Sequence, residues 1–351
     1  MAVHPAMTER DDLACAQPYP RPWPLPDGYH RQRAAAAEVR TALGSLAARR
    51  NWAGETWAEL IEDLLALGRT DVPLARLVEG HADAVRILDQ AGRTTRPGAL
   101  YGVWASRSRR SGLRAEPGPA GMRLTGTVRF ASGAGVIDRA LVPGWLSEDR
   151  HVLLDLPVAD WPVDRSAWVT SAMAVSRSDT VSVTGVLAEP GDLVGDEGFY
   201  LDRAGFFPGG VGVAACWVGG AARVVDLLLA SLAATPPPPV VLRLGRIRAD
   251  LVVAAAAVRG TAARLEETLP RGRPAGAGPW QSLATETRAA AAAAVTRILA
   301  EARAVAGPAG LAHDEDFSRA HHDLDLYVLQ QNADADAAWL GGRYLRSDPS
   351  R

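Results

Sequence analysis

Apolar residues recur at helical spacing in the first third of the chain, alternate in the middle, and return to helical spacing towards the end. His30–Arg50 is alanine-rich, with Val39, Leu43 and Leu46 on one face, and predicts a helix. Trp57–Leu67 repeats the pattern through Trp57, Leu60, Ile61, Leu64 and Leu65, with Gly68 placed to cap it. A third helix is predicted over Leu74–Ala91, closed by Gly92. The period then changes. Met122–Phe130 and Thr180–Leu187 alternate as half-buried strands do. Ala140–Pro143, His151–Leu156 and Trp168–Val175 read as further short strands. Glu116-Pro-Gly118, Ser132-Gly133 and Pro190-Gly-Asp192 supply turns between them. Strands this short and close suggest a small antiparallel barrel or sandwich.

Beyond residue 208 four long helices are predicted: Val211–Leu232, Val241–Leu269, Gln281–Ala306 and Phe317–Arg343. The stiff tract Pro236–Pro239 and a Gly/Pro/Arg loop over Pro270–Pro279 interrupt them. Short links between long helices argue for an antiparallel bundle. The expected fold class is α+β. A loose leader spans 1–28, an N-terminal helical domain 29–98, a middle antiparallel β domain 99–198 and a C-terminal four-helix bundle 199–351.

Composition removes several chemistries. The 351 residues carry 38 basic and 40 acidic side chains, a net charge of -2, and every basic one is arginine. A lysine Schiff base and a Walker-type phosphate lysine are excluded. So balanced a charge provides no global attraction to nucleic acid or anionic lipid, and neither partner is expected. Cys15 and Cys216 make neither a disulfide framework nor a metal cluster. Cys216, in an apolar run, reads as a small buried hydrophobe. The first residues lack an apolar signal core, and charged residues interrupt every apolar stretch short of the roughly 20 that span a bilayer. The expectation is a soluble cytoplasmic protein.

Individual motifs have plain structural readings. Gly210, Gly212 and Ala215 match G-x-G-x-x-A, but Pro208 precedes them and helices come after, unlike a dinucleotide fingerprint. They read as a close-packed helix entry. His321 and His322 point about 100° apart on a helix, and no metal is expected. His81 reads as a packing residue. Six of the ten tryptophans, 104, 145, 161, 168, 217 and 280, are scattered through the β zone and bundle and read chiefly as core. The cluster Arg107, Arg109, Arg110 and Arg114 reads as a solvated loop.

The order of these zones, with several local signatures, resembles the acyl-CoA dehydrogenase family, whose fold is shared by a group of flavin monooxygenases. The signatures are Leu74–Leu88 (LARLVEGHADAVRIL), Tyr101-Gly-Val-Trp-Ala105, Gly126–Ala134 (GTVRFASGA) with Asp138–Val142, Glu189–Gly195, and Gly307-Pro-Ala-Gly310 followed by Asp323–Gln331. Together they run from about residue 30 to 345. The resemblance implies FAD shared between two subunits of a homodimer or homotetramer. It implies that Val103, Trp104, Phe130 and Ser132 lie near the flavin ring, that Ser106 or Ser111 replaces a family serine contact, and that Gly307 lets backbone approach the cofactor.

The usual catalytic glutamate position carries Gln331, leaving Asp334 and Asp336 as the nearby acids; Pro208–Gly220, where some relatives place the base, has no carboxylate. Residues 105–112 lack the family's Gly-rich flavin loop, and Pro236–Pro239 stands near where the family often has an arginine. The first expectation is oxidation of an acyl thioester such as an acyl-CoA by α-proton and β-hydride removal. The alternatives are a flavin-dependent monooxygenase on the same fold, which needs no such glutamate, and a catalytically silent binding or scaffold homologue.

Overall fold

The computed structural model describes residues 19–29, 31, 34–106, 111–269 and 278–347. Most of the expected leader, the cluster Arg107–Arg110 and nearly all of the 270–279 loop lie outside the described residues. The described end of the leader is packed rather than loose. Tyr19 is buried beneath the Arg69 guanidinium, and Trp23 stacks on Trp52.

Three helices come first: α1 (Ala36–Ala47), α2 (Trp57–Thr70) and α3 (Val72–Gln90). Helix α2 opens with a capping box in which Thr56 Oγ1 accepts from the Glu59 amide at 3.1 Å and Glu59 Oε2 accepts from the Thr56 amide at 2.9 Å. Asp71 then caps α3, accepting from Leu74 N at 3.1 Å. Gly68 is not a cap, as expected from sequence, but lies inside α2. Its missing side chain makes room for another helix: a Cβ there would sit well inside van der Waals distance of Cys216 O.

The middle of the chain forms one eight-stranded sheet from β1 (Tyr101–Val103), β2 (Gly112–Gly118), β3 (Gly121–Ala131), β4 (Arg139–Trp145), β5 (His151–Pro157), β6 (Val163–Asp164), β7 (Asp179–Ala188) and β8 (Leu193–Val194). Its order is β6-β7-β3-β2-β4-β5-β8. Strands β1 and β2 both run parallel to β4, at its two ends, and the other pairings are antiparallel. The sheet is therefore mixed rather than wholly antiparallel. The expected strand Trp168–Val175 is a series of turns, because Met173 and Arg177 adopt left-handed φ of 55° and 47°, which break any extended run.

After the short α4 (Phe199–Asp202) come α5 (Phe206–Ser231), α6 (Pro238–Thr268), α7 (Gly278–His313), α8 (Glu315–Val328) and α9 (Ala333–Ser347). Pro238 and Pro239 occupy the first turn of α6, where a missing N–H costs nothing. Helix α7 kinks at Gly307 (φ 62°, ψ -169°), just before Pro308. The predicted helix Phe317–Arg343 is two helices, parted at Leu329–Asn332. Helix α5 is long and apolar enough to cross a membrane by length and composition, contrary to the sequence expectation; it is mostly buried inside the protein, against α2, α6, α7 and α8. Gly219 on α5 meets Gly68 and the Leu65 carbonyl of α2, so the two backbones touch.

With no lysine in the chain, the ion pairs are arginine guanidiniums on carboxylates. Arg139 meets Asp155 at 2.7 Å within the sheet, and Arg69 meets Asp226 at 2.7 Å between α2 and α5. Asp323 of α8 accepts from the Met173 amide at 2.5 Å, tying the bundle to the turn before β7.

His81 links the first helices to the sheet: its Nδ1 accepts from Tyr101 N at 3.1 Å, so the ring is neutral at that nitrogen. Burial pushes its pKa down to about 4. A lowered folded pKa gives stability that is present above the unfolded value, about 6.5, and lost as pH falls through about 4. We expect denaturant melts to show a loss of about 3 kcal/mol from this residue across that window. In His81→Gln, whose amide oxygen can accept the same bond without titrating, that part of the slope should vanish. An unchanged slope would refute the assignment.

Candidate functional site

Between the sheet and the helices lies a cleft of about 700 Å³. Its sheet wall is built where β3 ends. A register shift between Val128 and Ala131 turns the chain, and Phe130 takes φ 59° with 62% of the residue exposed. A bulky residue in the left-handed region carries strain, and such strain collects at sites that need a side chain in one place. Trp168 meets the Phe130 ring edge-on, with centroids 6.2 Å apart, and makes an aromatic corner facing the cleft.

Behind that corner runs a chain of hydroxyls with one possible direction. Ser176 Oγ donates to Met173 O at 2.7 Å, which uses its only proton. Ser178 must then donate to Ser176, at 2.8 Å, and Ser132 must donate to Ser178, at 2.9 Å. Ser132 is left with lone pairs alone to offer the cleft, which makes it an acceptor there.

The helix wall carries the charge. Arg76, Glu79, Gly80 and Asp83 of α3 all line the cleft, at the i, i+3, i+4, i+7 spacing of one helix face. Glu79 Oε2 accepts from Arg76 Nη1 at 2.6 Å. Burial pushes the Glu79 carboxyl up to about 7, and neighbouring Asp83 adds to the rise while Arg76 and Arg288 oppose it. Arg288 of α7 donates to Gly210 O at 2.7 Å and lies 4.9 Å over the Trp217 ring. Tyr327 of α8 closes the floor, its buried hydroxyl without a hydrogen-bond partner among the described residues. At the mouth of α5, Arg203 faces Asp83 at 3.6 Å and packs over the Tyr200 and Phe206 rings.

The residues singled out from sequence divide into two groups. Val103, Phe130 and Ser132 line the cleft together, and so does Ser106. Trp104 does not; it is buried behind the wall, with Nε1 donating to Ser132 O at 2.9 Å. Ser111 is also withdrawn, donating to Ser106 O at 3.0 Å and accepting from Arg129 N at 3.0 Å, so it braces Ser106 against β3. Gly307 lies at the α7 kink, away from the lining of the cleft. Gln331, Asp334 and Asp336 are not in the lining either. Gln331 Nε2 donates to Asp336 Oδ2 at 3.1 Å, and Asp334 is exposed. The carboxylates that do line the cleft, Glu79 and Asp83, were not among the sequence candidates. Their spacing with Arg76 was the available signal.

No protein-family model matches the sequence, and no curated protein matches it. Solved structures do resemble the fold. Dibenzothiophene monooxygenase from Paenibacillus sp. A11-2 superposes with a TM-score of 0.73 at 21% identity, over 89% of both chains; that enzyme has also been solved with FMN and indole. Methanesulfinate monooxygenase from Pseudomonas fluorescens gives 0.73 at 17% identity, over 89% of this chain and 90% of that one. XiaF from Streptomyces sp., in complex with FADH2 and glycerol, gives 0.71 at 17% identity, over 91% and 90%. The chain therefore has the fold of these flavin monooxygenases, the fold they share with acyl-CoA dehydrogenases.

Proposed function

We propose that the chain is a flavin-dependent monooxygenase acting on a small apolar molecule. The observation that carries this reading is the α8 side of the cleft. The residues it presents are Leu326, Tyr327, Leu329 and Gln330, with no carboxylate among them. An acyl-thioester dehydrogenase needs an α-proton acceptor within hydrogen-bond reach of the substrate; the position implied by family resemblance holds Gln331 outside the lining, and the carboxylates that do line the cleft, Glu79 and Asp83, stand on α3 in ion pairs with Arg76 and Arg203. Oxygenation does not require that base. The monooxygenase fold, and the flavins bound by similar structures, support the same reading.

The residues present suit a flavin. The Phe130–Trp168 corner offers a flat apolar face, Ser132 offers an acceptor, and a cleft of about 700 Å³ is within the usual range for a cofactor with substrate. A reduced flavin supplies electrons to O2, so that one oxygen atom enters the substrate and the other leaves as water. Phe130 would stack on the ring, Ser132 would accept from its polar edge, and the apolar walls would exclude water. FAD, a homodimer or homotetramer, and a cytoplasmic location go with this reading.

The test is to purify the full chain, measure FAD and FMN bound per subunit, and follow O2 uptake with photoreduced flavin. Binding of one flavin with substrate-dependent O2 uptake is expected. Anaerobic bleaching of bound flavin by an acyl-CoA would return the chain to thioester oxidation. Failure to take up FAD or FMN would remove both enzyme readings and leave a binding homologue.

The hydroxyl chain adds a sharper expectation. A reduced flavin carries a ring N–H that the oxidised ring lacks, and acceptor-only Ser132 suits it. Ser178→Ala frees the Ser132 proton. Fluorescence and anaerobic absorbance titrations should then show the preference for reduced over oxidised flavin fall about fivefold, the equivalent of one ordinary hydrogen bond. An unchanged ratio would count against the relay.

A further inference from the structure

A second, much smaller cavity lies between α2, α3 and α5, lined by Leu64, Ala82, Arg86, Gln90 and Gly212 among others. It measures about 20 Å³, room for a single water. Glu79, Asp83 and Gly209 line both this cavity and the main cleft. They stand on the seam where α3 meets α5. Gly209 has no side chain to close that seam, and a Cβ there would sit 3.2 Å from Asp83 Oδ1. The two carboxylates differ in position. Glu79 is 6% exposed, whereas the Asp83 side chain is 23% exposed and faces the buried Arg203 guanidinium at 3.6 Å. Gln90, at the outer end of the small cavity, is exposed. Arg76 holds Glu79 Oε2, but among the described residues no hydrogen bond reaches Oε1.

We propose that Glu79 is a proton relay, taking a proton from solvent through the small cavity and passing it from Oε1 into the main cleft. Asp83, the more exposed carboxylate on the seam, stands at the intake. The inference rests on the monooxygenase reading for what uses the proton. With reduced flavin counted as its anion, substrate, O2, reduced flavin and one proton give oxygenated substrate, oxidised flavin and water. The flavin supplies two electrons and one hydrogen, the O–O bond breaks, and the second hydrogen of the water comes from outside. Val103, Phe207, Val213 and Leu326 make much of the cleft wall apolar and keep out the bulk water that would otherwise bring it.

The surroundings of Glu79 suit that task. It is faced by Arg76 and Asp83 of its own helix, Arg288 of α7, Tyr327 of α8, Cys216 of α5 and Tyr200 of α4. Arg86 shares the small cavity, Arg203 stands beside Asp83, and α2 contributes Trp57, Leu60 and Leu64, which do not titrate. Burial pushes the phenols and the thiol up, so they stay neutral near pH 7. Burial also pushes the Glu79 carboxyl up to about 7. A group that loses and regains its proton near the working pH transfers it most efficiently. Protonated Glu79 delivers, so proton delivery to the cleft should slow as pH rises through about 7.

Two measurements on the full chain test the relay, the first without flavin. Infrared difference spectra across pH 6 to pH 8 should show a buried protonated-carboxyl band with its midpoint at about 7, absent from Glu79→Gln. In D2O that band should shift promptly. Gln90→Leu removes a polar group from the outer end of the path at an exposed position, so it keeps the fold even where Glu79→Gln, which strands Arg76, does not. It should slow the exchange about fivefold, the equivalent of one hydrogen bond. In the second measurement the chain is saturated with photoreduced FAD and mixed with O2 alone, which takes up one proton per flavin as it goes to H2O2. A pH-indicator dye should show that uptake about a hundredfold slower in Glu79→Gln, and partly restored in Glu79→Asp or by added formate. A band that survives Glu79→Gln, exchange indifferent to Gln90→Leu, or unchanged proton uptake would overturn the relay. If the chain binds no flavin, the infrared measurement still decides whether the path exists, and the monooxygenase reading falls separately.

Discussion

Alanine at Gly219 is expected to destabilise the protein by about 3 kcal/mol or more, the range of severe overpacking. The added Cβ would lie well inside van der Waals distance of Leu65 O, and 2.9 and 3.0 Å from Arg69 N and Gly68 Cα. All three are backbone atoms of α2, so no side chain can rotate out of the way. The two helices would have to separate where Gly68 and Gly219 now meet, opening gaps along a buried seam. Alanine's better helix propensity, about 1 kcal/mol, offsets only part of this. Gly245 in α6 provides the control. A Cβ there meets nothing within 4 Å, and Gly245→Ala should raise stability by about 0.5–1 kcal/mol. Urea denaturation of both variants decides the matter. Equal midpoints would mean that the close approach of α2 and α5 is not what fixes this core.

The second large effect is expected at Phe130, where stability and affinity should move apart. It is mostly exposed and its backbone is strained, so the residue contributes little to folding. In Phe130→Gly, relief of the left-handed strain and glycine's extra chain entropy nearly cancel, leaving stability unchanged or up to about 1 kcal/mol higher. Flavin affinity should fall at least about tenfold, since stacking and ring burial are both lost. Phe130→Tyr should keep the affinity. Parallel denaturation and flavin-fluorescence titrations would show the split. A glycine variant that binds flavin as the parent does would remove Phe130 from the cofactor site and weaken the whole assignment of the cleft.

The helices and long strands were legible because burial has a period. Leu60, Ile61, Leu64 and Leu65 on α2 are all buried, and so are Leu124, Val128, Val181 and Val183 on the paired β3 and β7. Strand β2 was hidden because Arg114, Glu116 and Pro117 make its solvent face read as a turn. The turns at Trp168–Val175 were hidden for the opposite reason: Ala172, Met173 and Val175 are buried as strand residues would be, while Met173 and Arg177 reverse the chain locally. The split between α8 and α9 lies in polar Gln330-Gln331-Asn332, which a helix tolerates on its surface and which gives no warning of an end.

At the site, local order along β1 and β3 brought Val103, Phe130 and Ser132 to one wall. Trp104 shares that segment yet faces the core, because successive strand residues point to opposite sides. The acidic end of the cleft was not legible. Glu79 and Asp83 acquire their meaning from Arg288 and Tyr327, which lie more than two hundred residues away in the chain and arrive there only through bundle packing.

The exclusive use of arginine in the ion pairs has a consequence at high pH. Guanidinium keeps its proton beyond pH 12, so contacts such as Arg139–Asp155 and Arg69–Asp226 do not dissolve under alkaline conditions that neutralise ammonium groups. Resistance to base is then set by phenols instead. Tyr29, Tyr200 and Tyr327 are all pushed up by burial. Their stabilising share is complete below the unfolded value of about 10 and drains away above it. The protein should therefore hold its charge lattice intact well into alkali and come apart from within, as buried tyrosines give up their protons.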